Sequence, residues 1–420
     1  MLAIVLVAAG LAACTGGDEA AVDASMSVSP STALLDAPVI ASVGGLPAGA
    51  RTTVTATATD AGGTEWSASA DFQATSAGTV SLEQPPVAGS YTGANPMGLF
   101  QFMAPMGSDT NDLGFEQPTS RGYEVTLQAT VNGEVVTSAR VRRQTAGEVG
   151  VASKELRVPA DGVHGTVFLP ADKTAKRPAV LIFGGSEGGV FPTVSVEASL
   201  LAAHGYPALA LAYFKAPGLP DTLSAIPLEY FSRALAVLRA QPGVDPRHVL
   251  VMGTSRGGEA ALLLGSYFPQ LVNGVVALVP GSYVNSAIPA TGRSPWTLRG
   301  RDLPYADAAK SGAPAAAVDP RAIIPVERIR GPIMLSCGGR DLLWPSCTYV
   351  DDITRRLSAG GVSSTVTALR YPDAGHYAGT VPPYTSITDD ALTTAGGTLT
   401  GTQTASVDLH RKLLALLASQ

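Results

Sequence analysis

Gly253-Thr254-Ser255-Arg256-Gly257 sets one serine between two glycines, after the apolar run "HVLVM" and before "GEAALLL". The pattern is G-x-S-x-G with a strand reading on one side and a helix reading on the other. A sharp strand-to-helix corner of this kind forces its serine into strained dihedrals. Side chains two positions away would collide with the neighbouring strand and helix, so glycine is needed there. The serine hydroxyl then stands exposed, beside the free N–H groups of a helix N-terminus. That chemistry is nucleophilic catalysis, with negative charge collected at the helix end. The competing reading is an ordinary glycine-rich turn capped by serine.

A serine nucleophile needs a base. Of the five histidines, His204 falls in a helix pattern, His248 before a core strand, His410 in the last helix and His164 in a hairpin-like stretch. All four read as structural. His376 lies in the turn-rich "YPDAGHYAG", past the last strand pattern. The acid should follow a strand between serine and histidine. In "PIMLSCGGRDLLWPSC" Asp341 does so, and is expected to hold and orient the His376 imidazole. Asp373, three residues before His376, reads as a brace for that loop. Asp302, Asp307 and Asp319 lack a strand-end context. An imidazole base works unprotonated, so activity should rise with pH over about 6 to 8.

Two N–H donors are needed for the oxyanion. Arg256, directly after the nucleophile, supplies one. Ser186, or else Gly185, in the loop "FGGSEGGV" is expected to supply the other. Glu187 in that loop is a surprising neighbour for developing negative charge. Arg293, Arg299 and Arg301 could form a phosphate patch, although a solvated loop is the simpler reading. No metal site and no cofactor are expected.

These residues need elements to position them. From about Ser25 to Arg143 the pattern is β-like: "RTTVTATATD" alternates, and "YEVTLQATVNGEVVTSARVRR" is two alternating runs around Asn-Gly, a strong hairpin signal. After about residue 149, short apolar strand patterns ("RPAVLIFGG", "PALALAYF", "HVLVMG", "VNGVVALVPG", "GPIMLSCGG", "STVTALRYP") alternate with helical ones. In "PLEYFSRALAVLRAQPGV", Leu228, Phe231, Leu235 and Leu238 share a helical face. "SVDLHRKLLALLAS" reads as a closing helix. The expected fold is α/β: an antiparallel β-sandwich over 25–148, then a domain over 149–420 whose mostly parallel sheet is covered on both faces. The order Ser, acid, His is that of an α/β-hydrolase.

The 420 residues are 45% hydrophobic and only 15% charged, with a net charge of −6. Nucleic-acid binders usually carry a basic face, so that class is disfavoured. "MLAIVLVAAGLAAC" resembles a lipoprotein-type signal: residues 1–13 as the leader, Cys14 as the lipidated residue and 14–24 as a flexible tether. No Lys or Arg precedes the apolar run, unlike an ordinary signal. The expected location is the bacterial cell envelope, with the membrane reached through the anchor at Cys14. In such an oxidising compartment Cys337 and Cys347 could pair, or remain separate thiols.

Longer stretches carry a resemblance. "GSYTGANPMGLFQFMAP" (Gly89 to Pro105), "HGTVFLP", "LALAYF", "LEYFSRAL", "GTSRGGE" and "IPVERIRGPIMLSCGGRDLLWPS" are similar, in order, to blocks of the acyl-CoA thioesterase and bile acid-CoA:amino acid N-acyltransferase family. The resemblance implies a β-sandwich followed by an α/β-hydrolase domain, with Ser255, Asp341 and His376 at the triad positions. It also implies hydrolysis of an acyl thioester, since members with serine at the nucleophile are hydrolases and the amino-acid conjugating members carry cysteine. An exported location sits badly with a cytosolic coenzyme A substrate. An envelope carboxylesterase or acyltransferase using the same triad is the alternative enzyme. A surface-anchored binding protein with a vestigial triad is the alternative outside enzymes.

Overall fold

The computed structural model describes residues 23–107, 114–307, 312–361 and 366–420. The apolar leader, Cys14 and nearly all of the tether lie outside the described residues. Among those described, no helix is long and apolar enough to cross a membrane.

The N-terminal part is built from alternating strands. In Arg51–Thr59 the residues Thr52, Val54, Ala56 and Ala58 are buried and their neighbours face outward. This strand pairs antiparallel with Glu65–Gln73 on one side and Tyr123–Val131 on the other. Tyr123–Val131 turns through Asn132-Gly133, both at positive φ (51° and 87°), into the antiparallel strand Glu134–Gln144. That is the two-residue hairpin announced by Asn-Gly. A smaller sheet of Ser25–Ser29, Ile40–Gly44 and Val80–Ser81 lies across it. Val43 and Val80 from one sheet share a core with Val54, Trp66 and Leu127 from the other, which makes a sandwich.

After the turn at Ala146–Val149 one eight-stranded sheet takes over. Its order across the sheet is Ala152–Leu156, His164–Leu169, Ala208–Ala212, Arg177–Phe183, Val244–Thr254, Gly274–Leu278, Ile333–Gly338 and Val366–Tyr371. The first two pairings are antiparallel and the remaining five are parallel. Every residue of Ala208–Ala212, Gly274–Leu278 and Ile333–Gly338 is buried, as expected for strands covered on both faces. The helix Leu228–Arg239 buries Leu228, Phe231, Leu235 and Leu238 completely. Each is worth about 1.5–3 kcal/mol relative to exposure.

The closing helix differs from the sequence expectation. It runs over Leu399–Ala418 and so begins well before Ser406. Its first turns, "LTGTQTA", are too polar to show an apolar face. The Thr398 side chain caps it by accepting from the Gly401 N–H at 3.0 Å. The polar face is buried: Gln403 Nε2 donates to the Gln101 carbonyl at 3.1 Å, joining the two domains. His248 is also shifted, lying inside the strand Val244–Thr254 beside Asp245.

Candidate active site

The strand Val244–Thr254 ends at Ser255, and the helix Arg256–Tyr267 starts one residue later. Ser255 has φ 56° and ψ −116°, a strained conformation for a residue with a Cβ. Its N–H is held by the Leu278 carbonyl at 2.8 Å. A Cβ on Gly253 would lie 2.2 Å from the Gly257 carbonyl oxygen, and one on Gly257 would lie 2.1 Å from that of Gly184. Both contacts are with backbone that has no room to move. The glycines therefore permit the turn by leaving space on either side of it.

Asp341 and His376 come together on two loops at the end of the neighbouring strands. His376 Nδ1 is 3.0 Å from Asp341 Oδ1 and 2.9 Å from Oδ2. The Asp341 side chain is 1% exposed and also accepts from the Leu343 and Trp344 N–H groups, at 3.0 and 3.2 Å. Asp373 points elsewhere, to Arg340 at 2.8 Å. Ser255 and His376 both line one cavity of about 480 Å³. Arg293 is engaged with Asp302 at 2.6 Å, and none of Arg293, Arg299 and Arg301 belongs to the cavity lining.

The loop after Arg177–Phe183 divides the two candidate donors. The Gly185 N–H is already given to the Glu187 carboxylate at 2.7 Å. Glu187 thus folds back on its own loop, and Gly185 is corrected as an oxyanion donor because its hydrogen is taken. Ser186 remains, and it lines the cavity. Its orientation has an identifiable cause. Buried Tyr213 donates its hydroxyl to the Gly185 carbonyl. In a trans peptide that carbonyl and the Ser186 N–H point in opposite directions. Burial, reinforced by the Glu187 charge, holds the Tyr213 phenol well above its ordinary pKa, so it stays a donor. Tyr213→Phe is expected to lower kcat by up to about tenfold with KM little changed, the value of one hydrogen bond. Steady-state kinetics on the folded variant check this, and an unchanged kcat refutes it. Arg256 is the first residue of its helix, so its N–H has no intrahelical acceptor.

Two further features were not visible in the sequence, and a third settles an alternative that the sequence left open. Trp344 packs edge-on to His376 with ring centroids 5.8 Å apart, while its Nε1 donates to the Val279 carbonyl at 3.1 Å. The Gly396-Gly397 segment ties the Asp341 and His376 loops together, through a bridge from Asp341 to Gly396 and another from Ala374 to Gly397. The His376 N–H donates to the Ala395 carbonyl at 2.8 Å. Gly396 has φ 79° and ψ −179°, a region essentially closed to other residues, and a Cβ there would lie 2.0 Å from the Arg340 carbonyl oxygen. Gly396→Ala should cost about 1–3 kcal/mol of stability and displace the Asp341 loop, so kcat and Tm fall together. Loss of neither would contradict this role. Finally, Cys337 and Cys347 are disulfide-bonded, closing the loop that carries Asp341.

The N-terminal domain supplies part of the cavity wall. Gly114, Phe115, Glu116 and Gln117 line it beside Thr385, Ser386 and Ile387. The Phe115 N–H donates to the Ser386 carbonyl at 2.9 Å, and Gln117 Nε2 to Thr385 Oγ1 at 2.7 Å. Ser386 Oγ donates in turn to the Phe100 carbonyl at 3.0 Å. The "PMGLF" segment thus anchors the segment that closes the cavity.

Residues 36–157 match the family described as "Acyl-CoA thioester hydrolase/BAAT N-terminal region", and residues 226–400 match "BAAT / Acyl-CoA thioester hydrolase C terminal". Acyl-coenzyme A amino acid N-acyltransferase 1 of Mus musculus is 32% identical over 380 residues, covering 85% of this chain and 86% of that protein. Mitochondrial acyl-coenzyme A thioesterase 2 of Homo sapiens is 31% identical over 363 residues, 83% of this chain and 73% of that one. Among solved structures, a putative dienelactone hydrolase from Klebsiella pneumoniae aligns with a TM-score of 0.45 and 17% identity, over 64% of this chain and 99% of that one. With both regions matched in order, the chain belongs to the acyl-CoA thioesterase and bile acid-CoA:amino acid N-acyltransferase family.

Proposed function

We propose that this protein hydrolyses an acyl thioester or ester through an acyl-serine intermediate. The observation that carries the reading is one cavity holding both a serine on a strained corner and a histidine braced by a buried carboxylate. His376 takes the Ser255 proton as Oγ attacks the acyl carbon. The oxyanion accepts hydrogen bonds from the Arg256 and Ser186 N–H groups. The imidazolium returns its proton to the departing thiolate or alkoxide, leaving the acyl group on Ser255. Water, deprotonated by the same imidazole, then attacks the acyl-serine, and the imidazolium returns that proton to Ser255 Oγ as the acid departs. Family membership and the serine at the nucleophile position support hydrolysis over transfer to an amino acid.

One observation favours a simple ester as substrate. The described residues lining the cavity include Glu116 and Glu187 but no Lys or Arg. Lys215 Nζ donates to the Glu187 carbonyl at 3.5 Å, outside the lining. A carrier with several phosphates would meet little positive charge there. Turnover of an acyl-CoA and of a neutral ester with the same acyl chain, side by side, tests both readings. Turnover of either supports the hydrolase, their ratio identifies the leaving group, and turnover of neither by folded protein refutes the proposal.

A further inference from the structure

A second cluster of reactive side chains lies away from the cavity, where the two domains meet. Asp36 follows the strand Thr32–Leu34 of the N-terminal domain. Its side chain is 1% exposed. Oδ2 lies 2.5 Å from His204 Nε2 and 2.9 Å from His410 Nε2. His204 caps the helix Pro192–Ala203, and His410 lies in the closing helix. One donor atom from each of these three residues lies within 4.8 Å of the others.

Three further observations point to a ligand. Asp36 Oδ1 is buried with no hydrogen-bond partner among the described residues. His410 Nδ1 is 3.0 Å from Glu197 Oε1, so Glu197 holds one ring nitrogen and turns the other, Nε2, toward Asp36, where an ion would take the place of the Nε2 hydrogen. Carboxylates orient metal-bound histidines in this way. Arg143, itself buried, donates to the Leu35 carbonyl at 2.6 Å and the Ala37 carbonyl at 2.8 Å, fixing the backbone on both sides of Asp36.

We propose that Asp36, His204 and His410 bind one divalent transition-metal ion of the zinc class, with Glu197 orienting His410. Two imidazole nitrogens and one carboxylate oxygen suit zinc, whereas calcium and magnesium favour all-oxygen shells. Around a tetrahedral ion with bonds of about 2.0–2.1 Å, neighbouring donors stand about 3.3 Å apart. The two carboxylate–imidazole distances, 2.5 and 2.9 Å, therefore need to lengthen by less than about 1 Å to admit it. The His204 side chain is 35% exposed, which gives a water access to the fourth position. Because the ligands come from both domains, the ion ties the sandwich to the hydrolase domain. In the sequence His204 and His410 read as structural and no metal is expected, because sequence patterns are local and Asp36 is 168 residues from the nearer histidine.

The test uses the full untagged chain, stripped with chelator, incubated with zinc chloride and then dialysed against metal-free buffer. Elemental analysis should return about one zinc per chain for the wild type and far less for Asp36→Asn and His204→Ala. His204 is partly exposed at a helix end, so its variant keeps the fold where a change at Asp36 could disturb it. Cobalt(II) in place of zinc should give visible absorption of a tetrahedral N/O site, absent in both variants, and zinc should raise Tm in the wild type alone. Equal metal content in wild type and His204→Ala overturns the site, as does a wild type that retains no zinc. In the latter case the cluster holds protons only, as an ion-paired histidine network. None of these readouts depends on hydrolysis.

Discussion

Ser255→Ala should give a folded protein that turns over its substrate about 10⁵- to 10⁶-fold more slowly, with KM little changed. It should also lose the covalent fluorophosphonate label that the wild type accepts. The fold should survive because the change deletes one oxygen at a cavity wall, while the strained backbone is held by its own N–H bond to Leu278 and by the close approaches at Gly253 and Gly257. The activity should collapse because the acyl-enzyme route has no other nucleophile. The N–H donors at Arg256 and Ser186 would remain, so residual catalysis above the rate in water is expected rather than none. A folded wild type that takes no label, or a Ser255→Ala variant that takes as much as wild type, would remove the serine from the chemistry. The surface-anchored binding protein would then be the surviving account.

The parts of this molecule that were legible in the sequence are those whose cause is local. The elbow could be read because its glycines, its strand and its helix are adjacent in the chain. The Asn132-Gly133 hairpin and the buried face of Leu228–Arg239 were legible for the same reason. That Asp341 and His376 would meet could be expected from chain order and loop context alone. What pattern could not reach is the support around them. Tyr213 orients a peptide 28 residues away, Gly396 fits between loops carrying residues 340 and 375, and Gln117 meets Thr385 across 268 positions. Glu187, surprising in the sequence, is explained by a hydrogen bond to Gly185 that no spacing rule predicts. The disulfide needed geometry as well: its cysteines lie on the strand Ile333–Gly338 and the helix Ser346–Ala359, with Cα atoms 4.9 Å apart.

The largest stability effect is expected at Glu259, one turn into the helix that begins behind Ser255. Its side chain is fully buried. Oε1 accepts from Trp296 Nε1 at 2.6 Å, and Oε2 accepts from the Asn285 N–H and Nδ2 at 3.2 and 3.0 Å. Arg256 Nη2 lies 3.6 Å from Oε1 and donates to the Asn285 and Ser286 carbonyls at 3.2 and 3.0 Å. Burial pushes the Glu259 carboxyl above its ordinary pKa, and Arg256 with these donors offsets part of that cost. Glu259→Ala would leave a buried guanidinium, an indole N–H and an amide with one acceptor fewer. Breaking a buried ion pair from one side typically costs about 3–5 kcal/mol, and that is the loss expected in denaturant unfolding. Because Arg256 also carries the N–H assigned to the oxyanion, kcat should fall in whatever protein remains folded. Arg256→Met combined with Glu259→Leu removes both charges and should recover much of the stability, since an apolar pair avoids the desolvation cost. If Glu259→Ala costs less than about 1 kcal/mol, or the double change is no better than the single one, the charges beneath the elbow are not what holds it in place.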